Sequence, residues 1–210
     1  PLLAKLLQPS HHLPAEFQRA NINARYLPPV WLAQGGGLID QNRVDQIIHI
    51  MNTEHALGSR QVHLLCLGSN NLGDADTDWT PQDVHDMHQQ VVFHAQTLTN
   101  IHIVICGILP RPCNNDETFA RFSVATSMLK KLSNEHKPLT SFVNIPKAFN
   151  TYGVVRSSLF TPVRQVHLTE DGAEVLAKIL KKHLENWPKK YLYSFFSATY
   201  PVLRLEATFR

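Results

Sequence analysis

Two kinds of segment alternate along this chain. Short runs rich in Val, Ile and Leu, Gln61 to Leu67 and Ile101 to Leu109, are bounded by Gly, Asn or Pro, as strands buried on both faces are. Leu139 to Ile145 repeats the pattern more weakly, and a further strand is expected around Val30 to Leu32. Between them lie longer segments of helical period. Asp40 to His55 places Val44, Ile47, Ile48 and Met51 at helical spacing, and Thr80 to Leu98 opens with Thr80 as N-cap and Pro81 at the first helical position. Asp116 to His136 and Thr169 to Trp187 complete the set, the latter with Val175, Leu176, Ile179, Leu180 and Leu184 on one stripe and lysines opposite. Strands and helices in alternation predict a parallel sheet joined by right-handed crossovers and covered on both faces, a three-layer α/β/α sandwich.

Composition narrows the picture. At 210 residues, 43% hydrophobic and 18% charged, the chain has material for one well-buried core and too little for two generous domains. The net charge of +3 is spread evenly, with no run of like charge beyond pairs such as Lys130-Lys131 and Lys181-Lys182, which gives no signal for nucleic acid. Of the cysteines, Cys66 and Cys106 sit inside apolar runs and Cys113 stands outside them; there is no CxxC pair, so buried free thiols are expected rather than a disulfide framework. No segment has the uninterrupted apolar length of a membrane span, and the N-terminus lacks the charged-then-apolar pattern of a signal peptide. A soluble chain is expected, of unknown compartment.

In parallel sheets the ligand site lies at the carboxyl ends of the strands, in the loops that lead into helices. Three such loops carry polar residues: Ala33 to Asp40 (AQGGGLID), Val62 to Asp74 (VHLLCLGSNNLGD) and Thr161 to Leu180 (TPVRQVHLTEDGAEVLAKIL). Taken singly, each has an ordinary reading. Asn and Gly are common turn formers, Gly35 to Gly37 suit a hinge, and His167 is one of 12 histidines, placed at a helix entry. His85 and His88, with Asp83 and Asp86, read as the solvated face of an amphipathic helix with no third ligand at metal spacing, so no metal is expected.

Taken together, in this order, the loops resemble the SGNH or GDSL-type hydrolases. Gly68-Ser69-Asn70-Asn71 resembles that family's Gly-x-Asn-Asp block with its last Asp changed to Asn. The glycines at 35 to 37 fall where a second block belongs, and VHLTEDGAEVLAKIL resembles the last block and its helix. The style is also similar to the esterase-like domains of LINE-type retroelements and related viral proteins. The resemblance implies a flavodoxin-like parallel sheet and a site in which His167 is the base, Asn70 and Gly36 donate to an oxyanion, and Asn71 holds its own loop. It implies a small ester or glycan as ligand and no cofactor.

The chain departs from the family in two places. No Gly-Asp-Ser occurs in these 210 residues, and Pro1 to Leu7 has the form of the helix that follows the nucleophile, so the serine is expected just upstream of Pro1 or lost. Arg164 stands three residues before His167, where the family has its triad aspartate, and a cation there cannot stabilise an imidazolium. Two functions follow: a catalytically degenerate module for binding or assembly, or a carboxylester hydrolase of the acetylesterase kind. Residues 1–187 are expected to form the hydrolase-like domain without its usual first strand, and residues 188–210 a strand-forming tail. In that tail, Tyr191 to Phe196 and Val202 to Phe209 alternate like strands. One of them is expected to fill the gap in the sheet or to pair with a neighbouring chain, giving self-association or a partner contact through the tail.

Overall fold

The computed structural model describes residues 27–31, 38–58, 61–73, 77–112, 115–162, 167–186 and 202–207. The element order is β1 (Leu27–Trp31), α1 (Gln41–Ala56), β2 (Gln61–Cys66), α2 (Ser69–Leu72), α3 (Pro81–Ala95) and β3 (Ile101–Cys106). It continues with α4 (Asp116–Glu135), β4 (Thr140–Val143), α5 (Pro146–Phe149), β5 (Asn150–Thr151), β6 (Val154–Val155), a 3-10 turn (Ser157–Leu159), α6 (Glu170–Asn186) and β7 (Val202–Ala207).

The main sheet runs β1-β7-β2-β3-β4 with every pairing parallel. β7 comes last in sequence yet lies between β1 and β2, with Val202 opposite both Leu27 and Gln61. The tail strand therefore takes an inner place in the sheet of its own chain. Its neighbours in sequence, including Tyr191 to Phe196, lie outside the described residues.

Alternation along β2 and β3 divides the core in two. Val62, Leu64, Val104 and Cys106 face Leu176, Ala177, Leu180 and Leu184 of α6. Leu65, Ile101, Ile103 and Ile105 face Val44, Ile47 and Met51 of α1, Val84, Val91 and Val92 of α3, and Phe122, Leu129 and Leu132 of α4. The fold is the three-layer α/β sandwich that the alternation predicts.

Several boundaries are set by local chemistry. β1 starts earlier than expected, at Leu27, and its register shifts between Leu27 and Val30, across Pro28 and Pro29. Proline has no N–H for the ladder, so it is accommodated at an edge position with a register break. α1 begins where the Asp40 carboxylate accepts from the Arg43 N–H at 2.8 Å. α3 has the full capping box, the Thr80 hydroxyl accepting from the Asp83 N–H and the Asp83 carboxylate accepting from the Thr80 N–H. The apolar run from Ile101 is strand only to Cys106. Gly107 N–H still donates to the Val143 carbonyl, but Ile108 N–H donates to the Thr126 hydroxyl and turns the chain towards α4.

One sequence expectation is overturned here. His88 is not on a solvated face: it is fully buried on the stripe Val84, His88, Val91, Val92 and Ala95. Its Nδ1–H donates to the Val84 carbonyl at 2.8 Å, while Nε2 is buried with no hydrogen-bond partner. Desolvation holds this imidazole neutral, with its pKa pushed down to about 4. Polar-to-apolar counting cannot see this, because histidine is scored as polar wherever it sits.

α6 runs antiparallel to the strands, and this orients the last loop. Its far end reaches the start of β4, where Ser141 Oγ lies 2.8 Å from His183 Nε2 and 2.8 Å from His102 Nε2. Its middle reaches the other end of the strands, where Leu176 lines a small cavity with Cys66, Gly107 and Leu109. The N-terminal end of α6, and with it His167, therefore lies at the carboxyl edge of the sheet. Burial depresses the pKa of both His102, to about 3, and His183.

Candidate functional site

β2 ends in a tight turn whose geometry requires glycine. Gly68 has φ of +103°, and a Cβ there would meet Val84 Cγ1 at 2.7 Å and Ile108 Cδ1 at 2.9 Å. The chain then makes the single helical turn α2, in which Ser69, Asn70, Asn71 and Leu72 are all buried. A polar triplet in a buried turn must find partners.

Those partners come from two other strand ends. Asn71 fastens the segment that follows β1: its Oδ1 accepts from the Ile39 N–H at 2.9 Å and its Nδ2 donates to the Ile39 carbonyl at 3.0 Å. The expectation that Asn71 holds its own loop is thus corrected. Its amide matches both groups of one backbone residue 32 positions away, a bond pair that local turn chemistry does not reveal. Ser69 Oγ donates to the Leu109 carbonyl after β3 at 3.0 Å. Arg111, two residues further on and 4% exposed, donates from Nε to Ser69 Oγ at 3.0 Å and from Nη2 to Asn70 Oδ1. Gly73 closes the arrangement, since a Cβ there would strike the Arg111 guanidinium and lie 2.7 Å from the Ser69 carbonyl.

Sequence reading missed Arg111. The available signal was a charged residue between Pro110 and Pro112, in the loop after the most apolar strand, at the edge where ligands bind. A buried guanidinium is costly unless its donors are matched, and Ser69 and Asn70 supply acceptors for it.

His167 is exposed, on the loop that enters α6. The loop is fixed on both sides of it. Its own carbonyl accepts from the Thr161 N–H at 2.8 Å, and the next residue, Leu168, bridges Phe160 and is buried in the cluster that contains Leu109. Thr169 then caps α6, its hydroxyl accepting from the Gly172 N–H at 3.2 Å. Gly172 is needed because a Cβ would drive into the Leu159 carbonyl. The stretch His167-Leu168-Thr169 with Gly172 is thus a loop anchor that presents the imidazole at the surface. Gly36 and Arg164 lie outside the described residues.

The structure therefore joins Ser69, Asn70, Asn71, Ile39 and Arg111 in one buried cluster at the carboxyl edge, and places His167 on a braced loop at that same edge. Among the described residues no group of three or more His, Cys, Asp or Glu side chains is arranged to hold a metal ion. No described helix is long and apolar enough to cross a membrane.

The fold of this chain is shared with solved structures of hydrolases. An acetyl xylan esterase variant from Geobacillus stearothermophilus superposes with a TM-score of 0.53 at 12% identity, over 71% of this chain and 68% of that one. A chain described as a GDSL-like lipase from Parabacteroides merdae gives 0.54 at 17% identity, over 70% and 68%. LAE5, an alpha/beta hydrolase enzyme from the Lake Arreo metagenome, gives 0.53 at 15% identity, over 73% and 70%. No protein-family model matches the sequence, and no curated protein does. The likeness is one of fold.

Proposed function

We propose that this chain uses the hydrolase fold as a binding or assembly module and does not turn over esters by a Ser-His-Asp route. The observation that carries this reading is Arg111, whose buried guanidinium donates to both Ser69 and Asn70. A small ester or glycan is the ligand class proposed, with Asn70 at the carboxyl edge of the sheet where it would bind. Ser69 is a poor nucleophile here: its proton goes to the Leu109 carbonyl and its oxygen accepts from a cation, with no base in that exchange.

His167 and Gly36 extend the site. His167 would face the ligand from the α6 loop, and Gly36, three residues before Ile39, would add a backbone donor. Arg164 in place of an aspartate argues against a working triad. Triad members act as a unit, and oxyanion donors alone supply on the order of 10³-fold over water. A retroelement or viral setting, which the sequence resemblance implies, would make assembly a natural use. With β7 engaged on both sides within the chain, partner contacts would fall to the rest of the 188–210 tail.

The test is hydrolysis of p-nitrophenyl acetate by the chain and its Asn70→Ala and His167→Ala variants, beside calorimetric titration with an acetylated xylo-oligosaccharide. A slow rate unchanged by His167→Ala, with binding weakened by Asn70→Ala, is expected. Turnover that disappears in His167→Ala would overturn the reading and favour the alternative, a carboxylester hydrolase whose serine lies upstream of Pro1. The intact bracing of the His167 loop is the observation that favours that alternative.

A further inference from the structure

We propose that Cys66 and Cys106 form a reversible disulfide, a redox modification site directly beneath the loops that carry Ser69 and Leu109. The two residues end neighbouring parallel strands whose register pairs Leu65 with Ile105, so they are adjacent and point to the same face. Their sulfurs are 3.0 Å apart, with Cys66 donating to Cys106. Neighbouring strands lie ~4.8 Å apart, inside the Cα separation that a disulfide spans, and bond formation needs roughly 1 Å of further approach. Both are free thiols here, Cys66 partly exposed and Cys106 buried.

Access and burial divide the roles. Cys66 lines a cavity of about 10 Å³ with Ser69, Gly107, Leu109 and Leu176, room for about one water-sized molecule. Hydrogen peroxide, the smallest hydroperoxide, is the oxidant proposed to reach the partly exposed Cys66. The Cys66 sulfur attacks the peroxide oxygen, the O–O bond breaks, and Cys66 becomes a sulfenic acid as water leaves. The Cys106 sulfur then displaces that hydroxyl, forming the S–S bond, and its proton leaves with the hydroxide as a second water. Two thiols are oxidised by two electrons in all, and one hydroperoxide is reduced. Desolvation raises the Cys106 pKa well above the ordinary thiol value, which makes the buried sulfur the less reactive of the two and Cys66 the one oxidised first.

This site is independent of what the Asn70 cluster binds. Its consequence is a covalent tie between β2 and β3 across a span of 40 residues. The native chain should be treated with one equivalent of hydrogen peroxide, alkylated and cut at the aspartates between 74 and 86, which separate the two cysteines. We expect a reducible Cys66–Cys106 peptide pair and a rise in Tm on the order of 5–10 °C that dithiothreitol reverses. Cys66→Ser and Cys106→Ser should each abolish both effects, and Cys106→Ser should leave Cys66 trapped by dimedone as sulfenic acid. Recovery of both thiols unmodified from the native protein would overturn the proposal. So would a link that forms only in urea, or one that joins either residue to Cys113.

Discussion

Acidification should destabilise this protein through its buried histidines, beginning at a pH above the range where its carboxylates titrate. Desolvation takes the pKa of His88 from an ordinary 6.5 to about 4 and that of His102 to about 3. In the unfolded chain both rings titrate near 6.5, so below that pH the unfolded state binds more protons than the folded one. Stability is thus fully present above pH ~6.5 and falls as the pH drops towards the folded values, reaching its full loss only below about 3. Between pH ~7.5 and ~4.5 the linkage amounts to roughly 2–3 kcal/mol for each of the two rings. Together, about 5 kcal/mol is comparable with the whole stability of many domains. Urea melts at these two pH values, read by far-UV circular dichroism, measure the loss. His88→Leu fills the same buried position without a titrating nitrogen, so it should remove about half of the pH dependence. It should also raise stability at neutral pH by roughly 1 kcal/mol, because Nε2 is buried without a partner. An unchanged difference between the two pH values in His88→Leu would refute the argument, since it would mean that the ring is not held neutral by burial.

The other expectations concern the carboxyl edge and the first turn of α6. Arg111→Met leaves the Ser69 and Asn70 oxygens without their donor and should lower stability by about 3 kcal/mol, a Tm drop of roughly 6–12 °C by calorimetry. Arg111→Lys should recover little of this, because one ammonium does not reproduce the fork. Asn71→Asp turns a donor to the Ile39 carbonyl into a carboxylate facing it, and should cost more than Asn71→Ala, about 3 against about 2 kcal/mol, in urea melts at neutral pH. Gly172→Ala improves helix propensity by ~1 kcal/mol in principle, yet it should destabilise, because the new Cβ meets the Leu159 carbonyl; a higher Tm would refute that contact.

The layer architecture was legible because it rests on periodicity. Val44, Ile47 and Met51, or Leu176, Leu180 and Leu184, must share a side of any helix they form, and the runs of β2 and β3, mostly apolar but for Gln61, His63 and His102, call for cover on both faces. The edge that carries the buried cluster was legible for a related reason: loops after parallel strands open on one edge, so Asn70 and the segment around Ile39 could be placed there, while the loop of Arg111 went unnoticed. What the sequence alone did not determine are the pairings between residues far apart in the chain. That Asn71 clasps Ile39, that Arg111 is buried against Ser69 and Asn70, that His88 turns inward and that β7 enters the sheet between β1 and β2 all depend on which groups the closed fold brings within reach. Local pattern sets which face a residue prefers. The tertiary structure sets which polar group waits on that face, and a buried hydrogen bond is decided by the partner as much as by the residue.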